Sequence, residues 1–261
     1  MTLLERGQWV DTSIDLFIGT LVEYDMRDGG LSIIKEYKLL PPYMIEQVEK
    51  IEKGVKRNSF IGKLKYDDRF KDVPKIQNEK FKECRLLFGE KNELTNDDIF
   101  AVRKDAIFVK RYCYETRVGK YIEFREKNVY DAMMRLNGKI EFYWKRNSKI
   151  LDVKGIPDVA VRKHDDGLNA VIWKFIQYLA SFDDDSARKY IVSIIDKYKF
   201  LELGPEFYRM YDNNAAYQMI INNELRLIDD IGSSEIPNTN IGYNFTNLFV
   251  PMLQLVDKWS F

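Results

Sequence analysis

The segment from Ile14 to Ile34 constrains the fold more than any other part of this 261-residue chain. Ile14 to Tyr24 is rich in Ile, Leu, Phe and Val and reads as a core strand. It runs out on Glu23-Tyr24-Asp25, so an acidic residue, Asp25, stands where a buried strand ends. Gly29-Gly30 lets the backbone turn sharply, and a short apolar run, Leu31-Ser32-Ile33-Ile34, follows. A carboxylate in that position is well placed to hold a metal ion at the rim of a sheet.

A second candidate carboxylate lies in a hairpin signal. Ile99-Phe100-Ala101-Val102 and Ala106-Ile107-Phe108-Val109 are two apolar runs around the charged tip Arg103-Lys104-Asp105. Between the two carboxylates, Pro41-Pro42 breaks the chain and Tyr43 to Lys53 reads as an amphipathic helix. Residues 54–75 read as a loop or weak hairpin, and Ile76 to Lys91 as a helix with Phe81, Cys84, Leu87 and Phe88 at helical spacing. Downstream, Tyr121 to Phe124, Ile140 to Trp144, Ile150 to Val153 and Val159 to Arg162 read as strands. From Gly167 the periodicity becomes helical, over Leu168 to Phe182 and Ser186 to Phe200. Asp183-Asp184-Asp185 suits a helix N-terminus, where the macrodipole favours anions, better than a metal site. Short helices are expected from Gly204-Pro205 to Leu227, then a polar loop, then a helix over Thr246 to Trp259 interrupted at Pro251.

Length and aromatic content allow a folded core in one large domain or two smaller ones. No apolar run approaches the ~20 residues of a membrane span. Two cysteines, Cys84 and Cys113, make neither a disulfide framework nor a zinc cluster, so a reducing, cytoplasmic setting is expected. Net charge is zero but unevenly spread: residues 1–165 carry 33 basic against 28 acidic side chains, the remainder 8 against 13. The basic excess is densest from Arg103 to Lys127, which fits either a solvated surface or a phosphate-binding face.

The order of these features resembles that of family B DNA polymerases. That family's first palm motif is Asp, six residues, then Ser-Ile-Ile; here Asp25 is followed by Ser32-Ile33-Ile34 at that spacing. Its third palm motif is a Tyr-Gly-Asp-Thr-Asp-Ser hairpin tip; Asp105 falls on the second aspartate and Arg103 replaces the first. Between them the family has a fingers helix reading Lys-x3-Asn-x2-Tyr-Gly. Phe88-Gly89 stands for Tyr-Gly, Arg85 occupies the asparagine slot, and Lys82 lies one position from the lysine. Phe124 to Tyr130, Asp152-Val153-Lys154-Gly155-Ile156 and Val161-Arg162-Lys163-His164-Asp165 follow in the order of the family's downstream segments.

The resemblance implies an α+β fold. An antiparallel palm-like sheet packs on helices in residues 1–165, with a helical fingers-like insertion at about 35–95. A mostly helical, thumb-like region follows over 166–261. It implies a template-directed nucleotidyltransferase acting on a primer–template and nucleoside triphosphates. Asp25 and Asp105 would be catalytic and would hold two Mg²⁺ (or Mn²⁺) ions. Lys82, Arg85, Gly30 and Ser32 would face the triphosphate and its sugar, and Lys127, Lys154, Arg162 and Lys163 the nucleic-acid backbone. A protein partner supplying missing polymerase domains is also expected. Departures at Gly30, where the family has an aromatic residue against the sugar, and at Arg103 favour an alternative: an inactive, polymerase-derived binding or structural protein. Plainer readings stay open for each residue. Asp25 can be a solvated strand end, Asp105 ordinary turn chemistry, Lys82 and Arg85 a wet helix face, and His164 a structural residue.

Overall fold

The computed structural model describes residues 2–156, 164, 167–211, 218–221, 224–227, 236 and 238–259. The predicted strand over Val159 to Arg162 lies outside them, as do Arg162 and Lys163. The chain is an α+β protein built on a seven-stranded antiparallel sheet in the order β1-β3-β4-β2-β5-β6-β7. The strands are β1 (Trp9–Val10), β2 (Leu16–Met26), β3 (Ile99–Val102), β4 (Ala106–Val109), β5 (Phe124–Leu136), β6 (Ile140–Trp144) and β7 (Asp152–Lys154). The described residues gather into two compact units: residues 1–11 with 20–129, and residues 12–19 with 130–261. The division falls between Val129 and Tyr130, upstream of the change to helical periodicity near Gly167.

In the first unit, β2 shows why a strand of this composition is buried. Val22, Tyr24 and Met26, two residues apart, pack on Phe81, Cys84 and Phe88 of helix α4 (Val73–Lys91). The same alternation turns Glu23 and Asp25 to the other face. The hairpin β3–β4 forms where predicted, with Val102 opposite Ile107. Between β2 and β3 the chain is helical: α1 (Gly29–Glu36), α2 (Pro42–Lys50), α3 (Val55–Lys63), then α4. Leu31, Ile34, Met44, Val48 and Ile61 close a small core of their own among the first three.

Helix α3 corrects the expected loop over 54–75. Its buried anchor is polar, which hid it from hydrophobic periodicity: Arg57, 7% exposed, pairs with Asp28 and donates to the carbonyls of Glu49 and Ile51. The short apolar run with Ser32-Ile33-Ile34 lies on helix α1, started by Asp28 in the left-handed region (φ 49°).

In the second unit, Ala132, Met134, Leu136, Phe142 and Trp144 pack against α5 (Leu168–Ala180), α6 (Asp184–Lys199) and α8 (Val250–Trp259). Asp183 caps α6 by accepting from the Ser186 amide at 3.1 Å, which is the cap read from the sequence. Three expectations are corrected. β5 is a 13-residue strand rather than a short one ending at Phe124. The helices expected before Leu227 are instead a 3₁₀ turn, Pro205–Tyr208, and a hairpin of β8 (Gln218–Ile221) with β9 (Glu224–Leu227). Pro251 does not break the last helix: the helical run continues through it, with a π-helical turn, Phe245–Phe249, ending just before it. A further helix, α7 (Asn238–Asn244), leads through that turn into α8. No helix among the described residues is long and apolar enough to cross a membrane.

His164, the chain's one histidine, is 2% exposed and stacks on Tyr211 at 4.6 Å between ring centroids. Burial, with the Arg209 guanidinium nearby, pushes its imidazole down to about 4. The folded chain therefore keeps a neutral imidazole at pH values where the unfolded chain, with an ordinary value near 6.5, takes up a proton. The stability this contributes is full above about pH 6.5 and is lost as pH falls toward 4. The span corresponds to roughly 3 kcal/mol at 1.36 kcal/mol per pH unit. Urea melts at pH 7 and pH 5 should show the loss, and His164→Gln should reduce this pH dependence.

Candidate active site

The candidate site is built at the ends of β2 and β4 in the first unit. Asp25 stands opposite Ala106 in the ladder, and the Met26 amide donates to the Asp105 carbonyl at 2.8 Å. Asp25, near the end of β2, and Asp105, in the hairpin tip one residue before β4, are therefore neighbours along the backbone ladder. The Asp25 side chain is 19% exposed. Its proton affinity is raised above the ordinary carboxylate range, first by burial and then by the negative charges of Asp105 and Glu23, against Lys127 and Arg125.

Glu23, which sequence reasoning missed, shares the Asp25 face and is only 3% exposed. It accepts from Lys127 Nζ at 3.1 Å and Asn128 Nδ2 at 2.8 Å. Lys127 Nζ also lies 3.9 Å from Asp25, and Arg125 Nη2 4.0 Å from it. The signal was the two-residue spacing itself: Glu23 and Asp25 on one strand, Arg125 and Lys127 on the next.

The other first-unit candidates separate into exposed and structural groups. Lys82 is exposed on α4. Arg85 is corrected from a triphosphate clamp to an internal brace. It is 1% exposed, and its guanidinium donates to the carbonyls of Leu4 (3.3 Å), Arg6 (2.6 Å) and Lys104. Burial lowers its pKa to about 10, partly offset by Asp105. Ser32 Oγ donates to the Arg27 carbonyl at 2.7 Å, closing the turn that follows Asp25. Gly30 accepts from Gln77 Nε2 at 2.8 Å, and a Cβ there would meet Ile61 Cδ1 at 3.3 Å. The close approach of α3 and α4 thus accounts for a glycine where the resembling family carries an aromatic.

In the second unit, Lys154 Nζ lies 3.4 Å from Asp152, whose carboxylate also accepts from the Tyr130 hydroxyl. The next residue, Gly155, has φ 93°, and a Cβ there would fall 2.2 Å from the Lys139 carbonyl oxygen. Backbone geometry alone requires the glycine of Lys154-Gly155-Ile156.

Among the described residues, no group of three or more His, Cys, Asp or Glu side chains is arranged to hold a metal ion. Asp25 and Asp105 are oxygen donors of the kind Mg²⁺ prefers. They fit it only as a partial shell, which nucleotide phosphates and water would complete.

A family model described as "Bacteriophage PBS1 gene 130 protein" matches residues 1–257. The chain belongs to that family. No curated protein matches the chain. The match runs through both compact units of this gene 130 family member, so the two-aspartate site and the helical second unit lie within one family unit.

Proposed function

We propose that this gene 130 family member is a template-directed nucleotidyltransferase, a reduced polymerase of the family B kind or a subunit of one. The observation that carries the reading is the pair Asp25 and Asp105. Asp25 near the end of β2 and Asp105 at the tip before β4 are 80 positions apart in sequence, yet the charge of Asp105 raises the proton affinity of Asp25. A second negative charge near a partly buried carboxylate disfavours its ionised form. A fold that keeps such a pair together is served by a cation between them. When bound, two Mg²⁺ or Mn²⁺ ions would activate the primer 3′-hydroxyl and neutralise the triphosphate. Asp25 and Asp105 would hold them, and exposed Lys82 would offer a point charge to phosphate. Buried Glu23 fixes Lys127 beside Asp25, ready to meet a backbone phosphate. Lys154, Arg162 and Lys163 remain proposed backbone contacts, and a partner protein carrying further polymerase domains belongs to the same reading.

A second reading is favoured by Lys127 and Arg125. Two cations within about 4 Å of Asp25 already offset its charge, as in a palm that has lost its metals and kept its binding surface. Primer extension with labelled primer–template, Mg²⁺ or Mn²⁺, and dNTPs or NTPs in parallel separates the two. Metal-dependent extension supports the enzyme. A folded protein that binds primer–template with no metal dependence and extends nothing supports the scaffold.

A further inference from the structure

Residues 110–121 form a partly exposed loop whose backbone is tied to core side chains. Tyr24, 1% exposed, accepts from the Cys113 amide at 2.8 Å through its hydroxyl, which also donates to the Cys113 carbonyl at 3.1 Å. Asn92, 9% exposed, accepts from the amides of Tyr114 (2.9 Å) and Glu115 (3.0 Å) and donates to the Glu115 carbonyl (2.8 Å). Lys91 Nζ donates to the Arg117 carbonyl at 2.9 Å, and the Phe124 amide to that of Thr116 at 2.8 Å. Two buried polar side chains thus fix Cys113 to Glu115. On either side of buried Cys113, Tyr112 is 47% and Tyr114 88% exposed.

Hydrophobic burial does not explain this arrangement: an aromatic ring left 88% in water gives up most of the stabilisation its area offers. A pinned backbone instead presents the rings with little ordering left to do on binding. The loop's own charges have one dominant sign, although Glu36 of α1 accepts from the Tyr121 amide at its end. The loop carries Lys110, Arg111, Arg117 and Lys120 against Glu115 alone. Arg111 is engaged with Asp98, while Arg117 and Lys120 are exposed. Exposed aromatic faces among cations suit a chain of bases on a phosphate backbone: each base offers a π-face whatever its sequence, and the phosphates take the cations. A duplex hides its base faces and offers the rings nothing.

We propose that the 110–121 loop is a binding platform for single-stranded nucleic acid, with Tyr112 and Tyr114 stacking on bases and Lys110, Arg117 and Lys120 taking phosphates. Binding there does not require the two-aspartate chemistry.

Fluorescence anisotropy of labelled oligo-dT and oligo-U, with a duplex of equal length beside them, tests the platform. The full chain, Tyr112→Ala/Tyr114→Ala and Tyr112→Phe/Tyr114→Phe would be compared. Both rings are exposed, so the alanine variant should keep its circular dichroism and melting temperature. It should bind the single strands at least about tenfold more weakly. The phenylalanine variant should bind within about twofold of the parent, and comparison of oligo-dT with oligo-U names the preferred sugar. Unchanged single-strand affinity in the alanine variant, equal loss in the phenylalanine variant, or no single-strand binding by the parent chain would overturn the proposal. Extension that fails while single-strand binding persists would count against the polymerase reading alone.

Discussion

Asparagine in place of Asp25 or Asp105 is expected to abolish primer extension while leaving the fold intact. Asn keeps the shape of the side chain and removes the charge that a divalent ion needs. Loss of several kcal/mol of metal-mediated transition-state stabilisation corresponds to roughly a thousandfold in rate. Stability should move the other way, or not at all. The Asp25 carboxyl is held above its ordinary range by burial and by Asp105, so its ionised form is less at ease folded than unfolded. Asp25→Asn removes that cost and should melt at or above the parent temperature at pH 7. Inactivity with undiminished stability is what a functional carboxylate gives; a variant that loses both would mark Asp25 as structural. A second readout is Mn²⁺ binding followed by electron paramagnetic resonance. With fewer than three protein carboxylates on the ion, binding should be weak alone, strengthen with added dNTP, and disappear in either variant.

The two aspartates were legible because each ends or interrupts an apolar run, and such boundaries survive in a single sequence. The strands around them were legible for the same reason: Val22, Tyr24 and Met26 alternate into a core, and Ile99–Val102 and Ala106–Val109 are fully buried. What stayed hidden is built from charge. β5 begins Phe124-Arg125-Glu126-Lys127-Asn128, which reads as surface, yet Lys127 and Asn128 hold buried Glu23 there. Its far end carries Arg135, 2% exposed and paired with Glu141. Asn137-Gly138 was an available hairpin signal for β5–β6: both residues have positive φ, and Leu136 pairs with Ile140 across them. Helix α3 was missed through Arg57 and Asp28, and Arg85 was misassigned, for one shared reason. A cation on a helix reads as wet unless its buried partners are known, and here those partners are distant carboxylates and backbone carbonyls.

Arg85→Met is expected to be among the most destabilising single substitutions in the first unit, at about 3–5 kcal/mol. Methionine has nearly the bulk to fill the space, so the cost is not chiefly a cavity. It comes from the carbonyls of Leu4, Arg6 and Lys104, which lose their donor where water does not readily replace it. Leaving a buried polar group unsatisfied costs about 1–3 kcal/mol, and bonds from a charged donor lie toward the upper end. Against a typical total of roughly 5–15 kcal/mol, such a loss is a large part of the stability of the chain. Arg85→Lys should recover only a fraction, because one ammonium cannot reproduce the planar fork that reaches three carbonyls. Chemical denaturation of the parent and both variants measures the order expected: parent, then lysine, then methionine. The lysine variant carries a further consequence. Arg85 ties α4 to Lys104, the residue before Asp105, so it fixes the hairpin tip that brings one aspartate to the other. Below the melting range, Arg85→Lys should extend primers more slowly than the parent at saturating metal and nucleotide. Unimpaired extension by that variant would mean that Asp105 is held by β4 alone.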